Sequence, residues 1–276
     1  MNINTKSKRL YLAAGIATLL LAPLGSALGK PEQCIKADTK CDYDLLCAFK
    51  VELAEKMILF KTFVANSPRT KSAKKSTSNG VKYDGALYTA ALAEAKKEDP
   101  SATGDELAAL AYNKFAKKVK VTLDAQAAQY QSCKSLDVTP KSSLRGTWTG
   151  MRTSKKDCTV YGEPPNDSEV GVSLDDVKKS SEGCLEIWES DRGHEAIHED
   201  ICRRRLANRE RPPLTLQDYI DEDTEAYRYN VQHAANDLTQ MQLRCTADPK
   251  TKDFRKRADD LLKKAVQYQA NKGMKP

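Results

Sequence analysis

The stretch Cys184-Leu-Glu-Ile-Trp-Glu-Ser-Asp-Arg-Gly-His-Glu-Ala-Ile-His-Glu-Asp-Ile-Cys202 decides how the second half of this chain folds. Cys184, Leu185, Trp188, Ile197, Ile201 and Cys202 recur at helical spacing. They predict a helix from about Glu182 to Asn208, capped by Ser180 or Ser181, stopped by Pro212-Pro213 and burying that apolar stripe. On such a helix His194 and His198 stand at i and i+4, one turn apart on one face, with Glu195 beside the first. The chain has only three His, so two of them fall into a single five-residue pattern.

Working outward, a second helix should start near Thr215 or Asp218 and reach about Arg244. A last one should span Lys252 to Gln269, with Phe254, Ala258, Leu261, Leu262, Ala265 and Val266 as its stripe. Upstream, Leu45, Leu46, Phe49, Leu53, Met57, Phe60 and Val64 predict a helix over 42–64, capped by Asp42 or Asp44. Residues 67–80 are polar and basic and read as an exposed loop. Helical patterns return at Gly85–Lys97 and Gly104–Cys133, and nothing in this first half resembles a catalytic site. Residues 136–183 are rich in Gly and Pro, with β-prone pieces at Thr147–Met151 and Cys158–Tyr161 that predict a short hairpin or edge strand. The fold class expected is mainly α and disulfide-stapled. It divides into a leader (1–29), an N-terminal helical domain (30–135), a linker with the β segment (136–183) and a C-terminal helical domain (184–276).

Lys6, Lys8 and Arg9 precede an apolar run from Leu10 to Leu24, and Ala27-Leu28-Gly29 offers a small-residue cleavage point. That is the three-part pattern of a secretory signal peptide, too short to span a bilayer, and it predicts a secreted or periplasmic protein. The whole chain carries 45 Lys and Arg against 38 Asp and Glu; without the leader the excess falls to +4. So balanced a charge argues against nucleic acid as a partner. All eight Cys lie beyond the leader, which predicts disulfides, and no CxxC spacing suggests a cysteine zinc site. Cys184 and Cys202 are about 27 Å apart along a straight helix and cannot bond each other unless it breaks, for instance at Gly193. Cys158 and Cys245 are the natural partners, and a Cys202–Cys245 bond would clamp the two helices together. Asn166-Asp-Ser168 fits a glycosylation sequon.

Two imidazoles at helical i and i+4 can hold one Zn²⁺, and the adjoining Glu can reach a water on it. Ile201 and Arg204 stand where an extended HExxHxxGxxH motif needs Gly and His, so the third ligand must come from elsewhere. The next helix opens with Asp218-Tyr-Ile-Asp-Glu-Asp-Thr-Glu-Ala-Tyr227. Here the chain resembles zincin metallopeptidases of the gluzincin type, above all the small secreted bacterial helical ones. In those, HExxH is followed by an acidic residue in a Glu-x-x-Ala-Tyr helix. The resemblance covers 184–238, with Asp223 where Glu is usual. It implies a fold with a helical zincin-like C-terminal domain and zinc on His194, His198 and Asp223. Glu222 is the alternative third ligand and Asp221 a weaker one. The same acids also suit a helix N-terminus.

The expected chemistry is hydrolysis of a peptide or protein substrate. A zinc-activated water attacks, Glu195 serves as general base, and Tyr227, ahead of His233, donates to the oxyanion. Arg203, Arg204, Arg205, Arg209 and Arg211 read as a solvated helix end more than as a docking patch. The N-terminal domain could be an inhibitory pro-segment, a recognition module or a partner-binding arm. Two other readings stay open: a non-catalytic helical binding protein with a decayed or accidental HExxH, and a delivered effector carrying such a domain. No stable membrane span is expected after leader removal, and the oligomeric state is not readable.

Overall fold

A computed structural model describes residues 33–35, 41–72, 81–127, 144, 150–162, 173–180, 183–208 and 212–245. The leader, the sequon, the helix expected over 252–269, and Arg209 and Arg211 lie outside the described residues.

The first helix, α1 (Tyr43–Asn66), begins where Asp42 Oδ1 accepts the Leu45 N–H at 2.9 Å, choosing Asp42 as the cap over Asp44. All seven apolar residues that predicted α1 are buried. A short α2 (Pro68–Ser72) occupies the start of the stretch expected to be a loop. The helices α3 (Ala86–Glu98) and α4 (Gly104–Ala127) pack on each other and meet α1 through Phe63, Ala91, Ala95, Ala111, Phe115 and Val119. The hairpin strands β1 (Met151–Thr153) and β2 (Val160–Gly162) are antiparallel, with Thr153 opposite Val160. They start four and two residues later than the β-prone pieces suggested. The next element, α5 (Leu174–Ser180), was not expected in the Gly- and Pro-rich segment. It is nucleated by Ser173, whose Oγ accepts the Asp176 N–H at 3.1 Å.

The last two described helices, α6 (Leu185–Ala207) and α7 (Leu216–Arg244), form an antiparallel pair. Thr215 and Asp218 make a reciprocal capping box at the start of α7, where the sequence had suggested either as the start. Helix α1 lies along α7, and the two share one core with the start of α6 and the hairpin. The mainly helical, disulfide-stapled fold with a small hairpin is therefore as expected. The first and last described helices are not packed separately, because Leu46, Phe49 and Leu53 of α1 belong to the same apolar cluster as Val231, Leu238 and Met241 of α7.

The disulfides follow from this packing. Cys34 bonds Cys184, Cys41 bonds Cys245, and Cys158 bonds Cys202; Cys47 is also disulfide-bonded. Cys184 and Cys202 stay apart as their separation requires, and α6 runs unbroken through Gly193. The expected Cys202–Cys245 bond is wrong. Cys202 lies near the α6–α7 turn, whereas Cys245 ends α7, roughly 44 Å along it from Thr215. At that far end it meets the start of α1 instead. Disulfides of this kind belong to proteins that fold in an oxidising compartment. Among the described residues no helix is long and apolar enough to cross a membrane.

Candidate metal centre

The face that α6 buries is not the apolar stripe but Glu186, Ile187, Ser190, Asp191 and Glu195. Trp188, Ile197 and Ile201 are only half-buried. Burying so many polar groups is tolerable only if each is paired. Glu186 accepts the backbone N–H groups of Cys34 and Ile35 at 3.0 and 2.8 Å. Lys56 of α1 donates to Asp191 at 3.1 Å and also pairs with Glu52. Asn230 of α7, fully buried, donates from Nδ2 to the Ser190 carbonyl and hydroxyl at 3.0 and 2.9 Å. Two small residues allow close contact here. Ala226 is fully buried, and a Cβ on Gly193 would collide with the Tyr229 ring.

The orientation of Asn230 fixes the histidines. With Nδ2 committed as donor, its Oδ1 must accept, so His194 Nδ1, 2.6 Å away, carries the proton. His198 Nδ1 lies 2.7 Å from Glu222 Oε1 and must likewise be the donor. Both Nε2 atoms then turn into the cleft, 3.1 Å from each other. In their neutral forms they present two lone pairs to one point, a repulsive arrangement that a proton or a cation between them relieves. Asp223 Oδ1 lies 3.6 Å from His198 Nε2. Tetrahedral ligands at zinc distances stand about 3.3 Å apart, close to each of these two separations from His198 Nε2. The atoms lying mutually within 4.8 Å are those of His194, Glu195 and His198, a group that could hold a metal ion. Asp223 borders that group through His198. The one other such grouping among the described residues, Cys34, Cys184 and Glu186, contains a disulfide.

The neighbours of Glu195 and Asp223 come from distant parts of the chain. Thr153 of β1 donates its hydroxyl to Glu195 Oε2 at 2.7 Å. Tyr112 of α4 donates to Asp223 Oδ2 at 2.6 Å, and its ring stacks on Tyr219 at 5.0 Å. Periodicity gave no sign of either residue, and Tyr112 sits in the half of the chain where no site was expected. Glu222 is turned away from the shared point, between His198 Nδ1 and Arg205 at 2.7 Å. Asp221 is further removed, paired with Ser67 and Arg69. Tyr227 and His194 meet at a steep ring angle, centroids 4.7 Å apart, and Tyr227 lines the cleft. His233, the other expected donor, pairs with Asp237 and does not line it. Arg203 and Arg204 pair along their own helix with Glu199 and Asp200.

Charge in the site is unevenly held. Burial, with the His198 and Lys56 charges, drives the His194 pKa well below its ordinary value. Burial also works against His198, but the Glu222 hydrogen bond and the charges of Asp223, Glu195 and Glu222 outweigh it and raise its pKa. His198 is therefore the more basic of the two rings. Burial pushes Asp223 up to about 6, against the pull of His198 and the Tyr112 hydrogen bond. These groups floor a cleft of about 940 Å³ between α6, α7, α4 and the hairpin. A smaller cavity of about 460 Å³, between α1, α3 and α4, contains no His or Cys.

Comparison with protein-family models, with curated proteins and with solved structures finds no match to this chain.

Proposed function

We propose that this protein is an exported zinc-dependent peptidase that cuts peptide bonds in a peptide or protein substrate. The observation that carries the reading is the pair of Nε2 atoms 3.1 Å apart, each on a ring whose Nδ1 is already committed. His194, His198 and Asp223 would hold the ion: two imidazoles and a carboxylate are a common donor set for catalytic zinc. When bound, zinc supplies a Lewis acid that polarises the scissile carbonyl and acidifies a water beside it.

The chain's own residues divide the remaining work. Glu195 is the buried carboxylate of the histidine group and lines the cleft, with the Thr153 hydroxyl fixing its Oε2; in this reading it serves as base and leaves ligation to Asp223. It would take the proton of the attacking water and return it to the leaving amine. Asn230 and Glu222 hold the two rings and their tautomers, the role that hydrogen-bond acceptors play behind metal-bound histidines. Tyr227, on the wall beside His194, is the proposed oxyanion donor. Export agrees with the leader pattern and with the disulfides.

The test is Glu195→Gln. Calorimetry should show one zinc bound by wild type and variant alike, while cleavage of a peptide library by the zinc-loaded protein falls at least a hundredfold in the variant. Undiminished cleavage by the variant would end the proposal. Zinc binding without cleavage by the wild type would favour the non-catalytic reading.

A further inference from the structure

Lys155 is a cation beside the site that the proposed chemistry leaves unused. It lies in the turn joining β1 to β2 and lines the same cleft as His194, Glu195 and His198. The turn is fixed at several points. The Ser154 N–H donates to the Thr159 carbonyl at 2.8 Å and the Cys158 N–H to the Ser154 carbonyl at 2.9 Å. The Cys158–Cys202 disulfide then ties the turn to α6. Lys155 is an exposed residue, yet its ammonium is laid 3.5 Å from the Tyr219 ring centroid and 5.5 Å from that of Tyr112. Those rings are the stacked pair, of which Tyr112 also holds Asp223. The amine is therefore registered to the metal centre by an aromatic platform.

The nearby arginines of α6 are all occupied: Arg205 by Glu222, Arg203 by Glu199, Arg204 by Asp200. Lys155 feels the charges of Glu222 and Asp223 but forms no ion pair with any described carboxylate. An ammonium on two rings still has N–H groups to give, and a carboxylate is the partner that gains most from them. Arg152 of β1 adds a second positive charge on this wall. Asp105 and Glu106 of α4 also line the cleft, and Asp105 is engaged by the Leu214 N–H.

We propose that Lys155 receives a carboxylate of the substrate next to the bond to be cut. The cleft thereby selects peptides bearing negative charge there, on an acidic side chain or as the free chain end. This rests on the zinc-peptidase reading.

The experiment uses the oxidised full chain, loaded with zinc, and two matched pairs of thiol ligands that anchor on the metal. One pair is mercaptoacetyl-leucine and its amide; the other is the α-amides of mercaptoacetyl-glutamate and mercaptoacetyl-glutamine. Zinc uptake and ligand affinity are both read by calorimetry. The wild type should bind the acid of at least one pair about tenfold more tightly than its neutral partner. Lys155→Met should erase that ratio and Lys155→Arg keep part of it. Preference in the first pair identifies the chain end, and in the second an acidic side chain. Because the ratio is taken within each protein, a loss of stability in a variant cancels. Equal affinities in the wild type, or a ratio that survives Lys155→Met, overturn the proposal and leave the zinc reading standing. Failure to take up zinc brings down both.

Discussion

Tyr112→Phe tests the proposed metal centre with the removal of a single oxygen. The hydroxyl donates to Asp223 Oδ2 at 2.6 Å, across 111 residues of sequence. Phe keeps the ring and its stacking on Tyr219, so packing should hold. What disappears is a donor to a carboxylate that is only 6% exposed. Leaving a buried charged acceptor short of one partner costs about 1–3 kcal/mol. In the metal-free protein that cost is limited, because Asp223, already pushed up to about 6, can take a proton instead. A bound zinc requires the carboxylate, so the cost falls on affinity. Loss of a supporting hydrogen bond behind a ligand weakens metal binding about 10- to 100-fold, or roughly 1.4–2.7 kcal/mol. The sign with pH also follows. The hydrogen bond favours ionised Asp223, so its loss raises that pKa further and moves the pH at which zinc affinity falls to a higher value.

Competition against a chromophoric chelator at pH 6, 7 and 8 measures both effects, and thermal melting of the metal-free variant controls for folding. An affinity within twofold of wild type at all three pH values would refute the reasoning. A drop in metal-free stability with no change in affinity would refute it equally, since Tyr112 would then be a packing residue only.

Zinc affinity of the wild type should be greatest above about pH 7 and fall as pH drops through 6, because His198 and Asp223 have raised pKa values and must shed protons to bind an ion; a flat profile between pH 5 and 8 contradicts this. His233 is raised chiefly by its hydrogen bond to Asp237 at 3.0 Å. Its stabilising share is therefore full below its ordinary pKa near 6.5 and lost as pH rises through the folded value. The urea-unfolding advantage of wild type over His233→Gln should shrink between pH 6 and 8.5, and a constant gap would disprove the linkage. Replacing both Cys158 and Cys202 by Ser opens a bridge of sequence separation 44, which should cost about 4 kcal/mol of stability by loop entropy. Zinc should still bind, since His194, His198 and Asp223 lie on α6 and α7, whereas turnover should fall because Thr153 no longer holds Glu195; loss of zinc with the disulfide would show that the hairpin holds the ligands.

What the sequence made legible was local. Asp42 announces α1, Thr215 and Asp218 announce α7, and the i, i+4 histidines need only a helix to converge. The hidden parts depend on contacts between residues far apart. Asn230, Thr153, Tyr112 and Lys56 meet α6 or α7 across 36, 42, 111 and 135 residues, and no periodicity encodes such pairings. The α6 stripe misled for the same reason. Hydrophobic patterning assumes that the buried face is the apolar one, whereas α6 turns Glu186, Ser190, Asp191 and Glu195 inward because partners on other elements receive them.

These pairings also bear on the three roles open to the N-terminal helices. An inhibitory pro-segment must leave once cut, and the 67–80 stretch that the sequence marks as an exposed loop is where a protease would act. Yet cleavage there would free no part of α1, since Cys34–Cys184 and Cys41–Cys245 hold its approach to α6 and α7, and Leu46, Phe49 and Leu53 lie in the α7 core. Nor is α4 a bystander, for Tyr112 reaches the carboxylate proposed as third ligand. Lys56 of α1 lies beneath the same site, paired with Asp191 and close enough for its charge to depress His194. Helices that supply the support of a metal centre cannot be shed without loosening it. A chain nicked within 73–80 should therefore stay one particle until reduced and should keep its zinc; release of α1 without reductant would show that the disulfides and the shared core do not hold it.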